Sequence, residues 1–177
     1  MNSAPKRNRV RWIAGLGAVG VMAAAGRYYA GIRHPLAGEP LRVGLGDLMP
    51  GKLRTVEWMG RTVFLLRRTP EVIATLAQHE GVLADPNSVS SQQPEACRNR
   101  HRSLRPELFV AIGQCTHQGC VPALRSGSAN ALDFLCPCHT SRYDVAGRVF
   151  RDGPAPTNLV IPEYRFDGDD HVVIGDA

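Results

Sequence analysis

Residues 12–26 are apolar and carry no charge, Arg27 interrupts, and Tyr28-Tyr-Ala-Gly-Ile32 resumes the apolar pattern. A membrane-spanning helix needs roughly 17–25 mostly apolar residues. Residues 12–32 therefore suit a span if Arg27 snorkels to the interface, with the tyrosines at the headgroup level. Lys6, Arg7, Arg9 and Arg11 precede the run and predict a cytoplasmic segment 1–11, with the rest of the chain on the far side. Residues 33–46 are rich in Gly and Pro and lack periodicity, which predicts a linker.

Beyond the linker the pattern changes to short runs rich in β-branched and aromatic residues. Residues 53–57 and 62–66 read as two strands around Gly60, a hairpin signal. Thr69-Pro70-Glu71 predicts an N-cap, a Pro at the first helical position and an acid in the first turn, with a short helix to Gln78 ended by Gly81. Further strands are predicted at 108–112, 132–135, 142–145, 148–150, 159–166 and 171–174, with turns at Ala146-Gly147 and Asp167-Gly168. There is no βαβ rhythm, Gly-rich phosphate loop or internal repeat. The prediction is a mainly β protein: an N-terminal transmembrane helix, then an antiparallel β-sandwich over 47–177.

The net charge of +5 is modest. Much of it sits in the N-terminus and in Arg98-Asn-Arg-His-Arg102, read as a solvated loop. No basic face with aromatic or motif support is visible, so nucleic acid is not an expected partner.

The chemistry is concentrated in two stretches, Cys115-Thr-His117-Gln-Gly-Cys120 and Cys136-Pro-Cys138-His139-Thr-Ser141. Each offers a compact Cys and His pair with a second Cys beside it. Two thiolates on one iron and two imidazoles on the other is the ligand set of a Rieske [2Fe–2S] cluster. Tetrahedral zinc also accepts two Cys and two His. Zinc fingers, however, usually pair like with like, and zinc leaves the second cysteine of each stretch without a role. Replacing two thiolates by imidazoles raises the potential to roughly −150 to +300 mV, against about −400 mV for all-Cys plant-type clusters. Histidines 34, 79, 101 and 171 lack a partner at ligand spacing and read as surface or structural, as Asp144 and Asp152 read as turn residues. Cys97 is left as a free, partly buried thiol.

At these residues the chain resembles the Rieske iron–sulfur subunit of bacterial ubiquinol–cytochrome c reductase, respiratory complex III. The likeness extends to Gly60–Thr69, Asp85-Pro-Asn-Ser88, Arg102-Ser-Leu-Arg-Pro-Glu107 and Gly153-Pro-Ala-Pro156, the last similar to the family's proline loop. The resemblance implies one [2Fe–2S] cluster, with Cys115 and Cys136 on one iron and His117 and His139 on the other. It implies a Cys120–Cys138 disulfide, which suits an oxidising compartment. Ser141 and Tyr143 match the family's hydroxyl donors to cluster sulfide and cysteine sulfur, which raise the potential. The cluster-binding subdomain is expected at about 114–153.

As a redox subunit of such a complex, the chain would take one electron from ubiquinol and pass it to a c-type cytochrome. His139 would face the quinol, with His117 as its partner. Cytochrome b and a membrane-anchored c-type cytochrome would be its partner subunits, in a complex expected to be dimeric. The implied location is a bacterial inner membrane, with a retained single-pass anchor and a periplasmic head. The competing readings are the small Rieske subunit of a periplasmic molybdenum oxidase, similar to arsenite oxidase, and a zinc-stabilised binding module. The chain departs from the family's usual loops at Gln118, in place of Leu, and at Thr140, in place of Gly. Neither change removes a ligand, but a β-branched Thr140 is costly wherever the backbone needs a positive φ.

Overall fold

The computed structural model describes residues 39–126 and 132–175. The expected anchor at 12–32, the basic residues before it, His34 and the linker residues 33–38 lie outside the described residues. Among the described residues, no helix is long and apolar enough to cross a membrane.

The reading of a mainly β, antiparallel protein holds, and among the described residues the strands form three small sheets of three strands each. β1 (Leu41–Gly44) pairs with β9 (His171–Ile174), which pairs with β8 (Tyr164–Phe166). This corrects the linker: residues 41–44, read as part of it, are a strand. Trp58 secures the same region, donating from Nε1 to the Glu39 carbonyl at 2.9 Å.

The second sheet has the order β2 (Leu53–Trp58), β3 (Arg61–Arg67), β4 (Leu108–Ile112). Trp58 pairs with Arg61 across a two-residue turn in which Met59 and Gly60 have φ of 53° and 69°. Two consecutive left-handed residues match the right-handed twist of the flanking strands, which is why Gly60 signals the hairpin. Residues 63–66 and all of β4 are buried, so both strands read as continuous apolar runs without alternation.

Thr69 caps the helix as expected: its Oγ1 accepts from the Val72 amide at 3.4 Å. The α-helix, α1 (Pro70–Ala74), is shorter than predicted and continues as a 3-10 helix over Thr75–Val82. At the junction Thr75 Oγ1 donates to the Val72 carbonyl at 2.7 Å, a local bond that competes with regular helical pairing.

The third sheet, β5 (Ala123–Ser126), β6 (Leu132–Leu135), β7 (Arg142–Asp144), carries the two cysteine stretches. The first lies between β4 and β5; the second is the loop between β6 and β7. Phe134 of β6 stacks on Phe64 of β3, with ring centroids 5.2 Å apart, and meets Phe109 of β4 at 6.3 Å. All three rings are buried and pack this sheet against the second.

Two expected strands are reduced. Residues 148–150 contribute only the isolated bridges Tyr143–Val149 and Leu83–Phe150. Of 159–166, only Tyr164–Phe166 joins a ladder. Leu159 and Ile161 are buried, yet their amides bond separate segments, at Gly147 and Gln92, while the Val160 carbonyl accepts from Ile112. Pro162 then supplies no amide at all.

Candidate metal centre

The two cysteine loops are closed by the same pair of backbone bonds. In the first, the Cys115 amide donates to the Cys120 carbonyl and the Gly119 amide to the Cys115 carbonyl, each at 2.8 Å. In the second, the Cys136 amide donates to the Ser141 carbonyl at 2.8 Å and the Thr140 amide to the Cys136 carbonyl at 3.0 Å. Both loops place their fifth residue in the left-handed region: Gly119 at φ 80° and Thr140 at φ 59°. A disulfide joins them, Cys120 to Cys138, with Cα atoms 6.6 Å apart.

The closed loops bring together the expected side chains. Cys115 and Cys136 are free thiols, buried at 3% and 1% exposure. The His117 and His139 rings stand 4.8 Å apart, centroid to centroid, at 81° to one another. His117 is half-buried and His139 exposed. The sulfurs of Cys120, Cys136 and Cys138 lie within 4.8 Å of one another. Two of these three are spent in the disulfide, so the available thiolates are Cys115 and Cys136.

Tyr143, fully buried, donates its hydroxyl to Cys115 Sγ at 3.2 Å. The same oxygen accepts from the Thr116 amide at 3.1 Å, and Thr116 Oγ1 donates to the Thr157 carbonyl at 2.7 Å. Burial pushes the Cys115 thiol up; hydrogen bonds with Tyr143, the His117 backbone, Cys136 and Ser141 outweigh it and bring the thiol below its ordinary value. Burial, with the bond to Cys115, raises the Tyr143 phenol and keeps it a neutral donor. Ser141 Oγ, also fully buried, accepts from the Ala155 amide at 3.1 Å. This bond holds the proline loop against the second cysteine loop. Gly153 makes the approach possible: a Cβ there would lie 2.8 Å from Ser141 Cα.

The donor set fits an iron–sulfur cluster. Two buried thiols face inward, and two imidazoles stand together at the surface. The Nδ1 of His117 is buried with no hydrogen-bond partner. A buried polar nitrogen without a partner is costly unless something fills the position, and a metal ion would do so.

Sequence reasoning passes over Thr116, and it places Gly153 and Ala155 in the proline loop without foreseeing their contacts with Ser141. Each acts through its backbone or through contact with a more recognisable neighbour. Asp144 is a turn residue as expected, its Oδ1 accepting from the Ala146 and Arg148 amides, each at 2.9 Å. It is also fully buried in an ion pair with Arg148, Nε to Oδ2 at 2.8 Å. Asp152 pairs with Arg142 at 2.8 Å. His171 pairs with the adjacent Asp170, and His79 lies 4.0 Å from Asp144. The 98–102 segment departs from a solvated loop: Arg98 pairs with Glu95 and Arg100 with Glu80, while Arg102 is fully buried.

A mainly β domain that joins two such loops into one thiol-and-imidazole site defines a Rieske iron–sulfur protein. The family model for the Rieske [2Fe-2S] domain matches residues 43–165, and the chain belongs to that family. Its cofactor is one Rieske-type [2Fe–2S] cluster. The chain is similar to the ubiquinol-cytochrome c reductase iron-sulfur subunit of Allochromatium vinosum: 40% identical over 191 residues, which span 98% of this chain and 92% of that protein. The mitochondrial Rieske subunit of the cytochrome b-c1 complex of Schizosaccharomyces pombe is 37% identical over 179 residues, 96% of this chain and 72% of that one. A solved hyperthermophilic respiratory complex III shares the fold, with a TM-score of 0.50 and 24% identity over 90% of this chain and 99% of that one.

Proposed function

We propose that this chain is the high-potential electron-transfer subunit of a ubiquinol–cytochrome c reductase. The observation that carries the reading is the similarity to such a subunit along nearly the whole chain. In this reading Cys115 and Cys136 bind one iron, and His117 and His139 the other. The cluster, when bound, supplies a one-electron store that is filled from quinol and emptied to a c-type cytochrome.

The protein's own groups do the rest. Burial of Cys115 and Cys136 keeps water from the thiolates. The Tyr143 hydroxyl, aimed at Cys115 Sγ, disperses negative charge on that sulfur, and Ser141 supplies a second hydroxyl beside it. The exposed His139 ring presents a nitrogen to which a quinol hydroxyl can hydrogen-bond. With its other nitrogen on iron, the ring would accept the quinol proton there only after losing its own N–H proton, and would later release the accepted proton to water. The disulfide and the proline loop hold His139 in place while it meets quinol and then the cytochrome.

The assembly belongs to the same proposal. Residues 12–32 anchor the chain in a bacterial inner membrane, residues 1–11 are cytoplasmic, and the head is periplasmic beside cytochrome b and c-type cytochrome subunits in a dimeric complex. Residues 33–40 remain as the connection once β1 is taken out of the linker.

Electron paramagnetic resonance of the detergent-solubilised chain tests the reading. A rhombic Rieske signal with ascorbate alone is expected, together with co-purification of b- and c-type haem. A signal that appears only with dithionite would reject the quinol-oxidising role. No signal with either reductant, with zinc in the metal analysis, would reject the cluster itself.

A further inference from the structure

Three arginines are buried in the head. Arg68, Arg102 and Arg148 are each no more than 2% exposed. All three converge on the turn 144–148, which begins one residue after Tyr143. Arg148 Nη2 donates to the Leu76 carbonyl at 2.7 Å, while its Nε holds Asp144. Arg68 Nη1 donates to the carbonyls of Val145 at 3.2 Å and His101 at 2.9 Å, and its Nη2 to Ser103 Oγ at 2.7 Å. Arg102 Nη1 reaches the Ala146 and Gly147 carbonyls at 3.3 and 3.4 Å, and its Nη2 reaches Gln93 Oε1 at 3.1 Å.

The positive charge here is only partly balanced. Among the described residues two buried carboxylates, Asp144 and Asp85, oppose the three guanidinium groups. Asp85 accepts from the Val89 and Ser90 amides and the Ser91 hydroxyl and also attracts Arg102, and the exposed Glu107 attracts Arg68. The Nε atoms of Arg68 and Arg102 are buried without an acceptor. Burial lowers both guanidinium groups to about 10, which leaves them protonated at neutral pH. A fold that keeps partly balanced cations at this depth bears a desolvation cost that carbonyl bonds only partly offset.

Packing connects this charge to the loops above it. The Arg68 guanidinium lies over the Phe109 ring, 5.5 Å from its centroid. Phe109 meets Phe134, two residues before Cys136. Tyr143, between the arginine-bound turn and Cys115, completes the path. None of these three rings is exposed, so the field crosses close-packed protein rather than water and is weakly screened.

We propose that Arg68, Arg102 and Arg148 form an electrostatic floor beneath the cluster loops that favours the added negative charge of the reduced cluster and so raises its midpoint potential. The inference rests on the cluster assignment made under Proposed function. One electron is added and one unit of negative charge appears; no bond forms or breaks. The arginines touch neither cluster nor quinol and act through the field alone.

The test is a redox titration of the cluster-loaded full chain, followed by electron paramagnetic resonance, for Arg102→Gln, Arg68→Gln, Arg102→Lys and Asp144→Asn. The glutamine variants keep a donor to the carbonyls but lose the charge. Each is expected to shift the reduction equilibrium at least about threefold toward the oxidised form, about 30 mV for a one-electron couple. Arg102→Lys should restore the potential. Asp144→Asn, which removes the opposing charge, should raise it. A merely structural role would move both charge types in the same direction, with altered g-values. Unchanged potentials in the glutamine variants, or a lowered one in Asp144→Asn, would overturn the proposal. If Arg102→Gln does not fold, Arg68→Gln and Asp144→Asn decide by their opposite signs. Loss of the ascorbate-reducible signal in the unaltered chain would instead reject the cluster assignment.

Discussion

Thr140 holds in the second loop the place that Gly119 holds in the first. Both amides donate to the carbonyl of the loop's first cysteine, and both residues have positive φ. The geometry is the same and the side chains are not. A residue with a Cβ pays roughly 1–2 kcal/mol in the left-handed region, and a β-branched one is a genuine outlier there. Thr140→Gly is therefore expected to stabilise the head by about 1 kcal/mol, after part of the relief is lost to the greater freedom of glycine in the unfolded chain. Gly119→Thr should destabilise it by a similar amount. Thermal melts of the two variants check both signs.

Tyr143→Phe removes a donor from Cys115 and an acceptor from the Thr116 amide at once. The expected result is a lowered cluster potential together with a stability loss of about 1 kcal/mol. Ser141→Ala should lower the potential as well and release the Ala155 amide. Should both variants keep the parent potential, the role given to the two hydroxyls is wrong.

Gly153→Ala tests the seating of the proline loop. The new methyl would meet the Ser141 backbone, which has no flexible end to move aside. The loop must lift, at a cost of about 1–3 kcal/mol. Faster bleaching of the cluster's visible absorbance on exposure to peroxide would report the opened cover; an unchanged rate would show that the loop does not shield the site.

Cys97 predicts a pH effect at the alkaline end. Burial pushes its thiol up from the ordinary 9.0 to about 11, against a lowering bond with Tyr164. The unfolded chain then releases the proton first. The stabilisation is complete below about pH 9 and is lost as the pH rises toward about 11. Urea midpoints at about pH 8 and about pH 10 should differ more for the parent than for Cys97→Ala. Equal slopes would remove Cys97 from the account.

The sequence announces those elements whose cause is local. Gly60 marks the first hairpin, and the apolar runs at 108–112 and 132–135 are strands at the expected residues. The two cysteine stretches are legible because spacing and residue type already restrict the chemistry, while the donors Ser141 and Tyr143 are expected only through the family resemblance. β1 is not legible, because four residues in a segment rich in Gly and Pro become a strand only when β9, from the far end of the chain, pairs with them. β5 is almost wholly exposed and carries no apolar alternation. Arg102 looked solvated among its charged neighbours, since nothing in the local sequence discloses that the carbonyls of Ala146 and Gly147 wait to receive it.

The disulfide also bears on how the protein is made. Four cysteines lie between 115 and 138, and an oxidant could join them in several ways. In the folded head, Cys138 is exposed and already joined to Cys120, while Cys115 and Cys136 are buried away from a dissolved oxidant. Wrong pairing driven by such an oxidant is thus a hazard of the open chain. A cell that closes these loops before they meet an oxidising environment leaves a single bond to be formed there, and biogenesis becomes a matter of timing, not of choosing between partners.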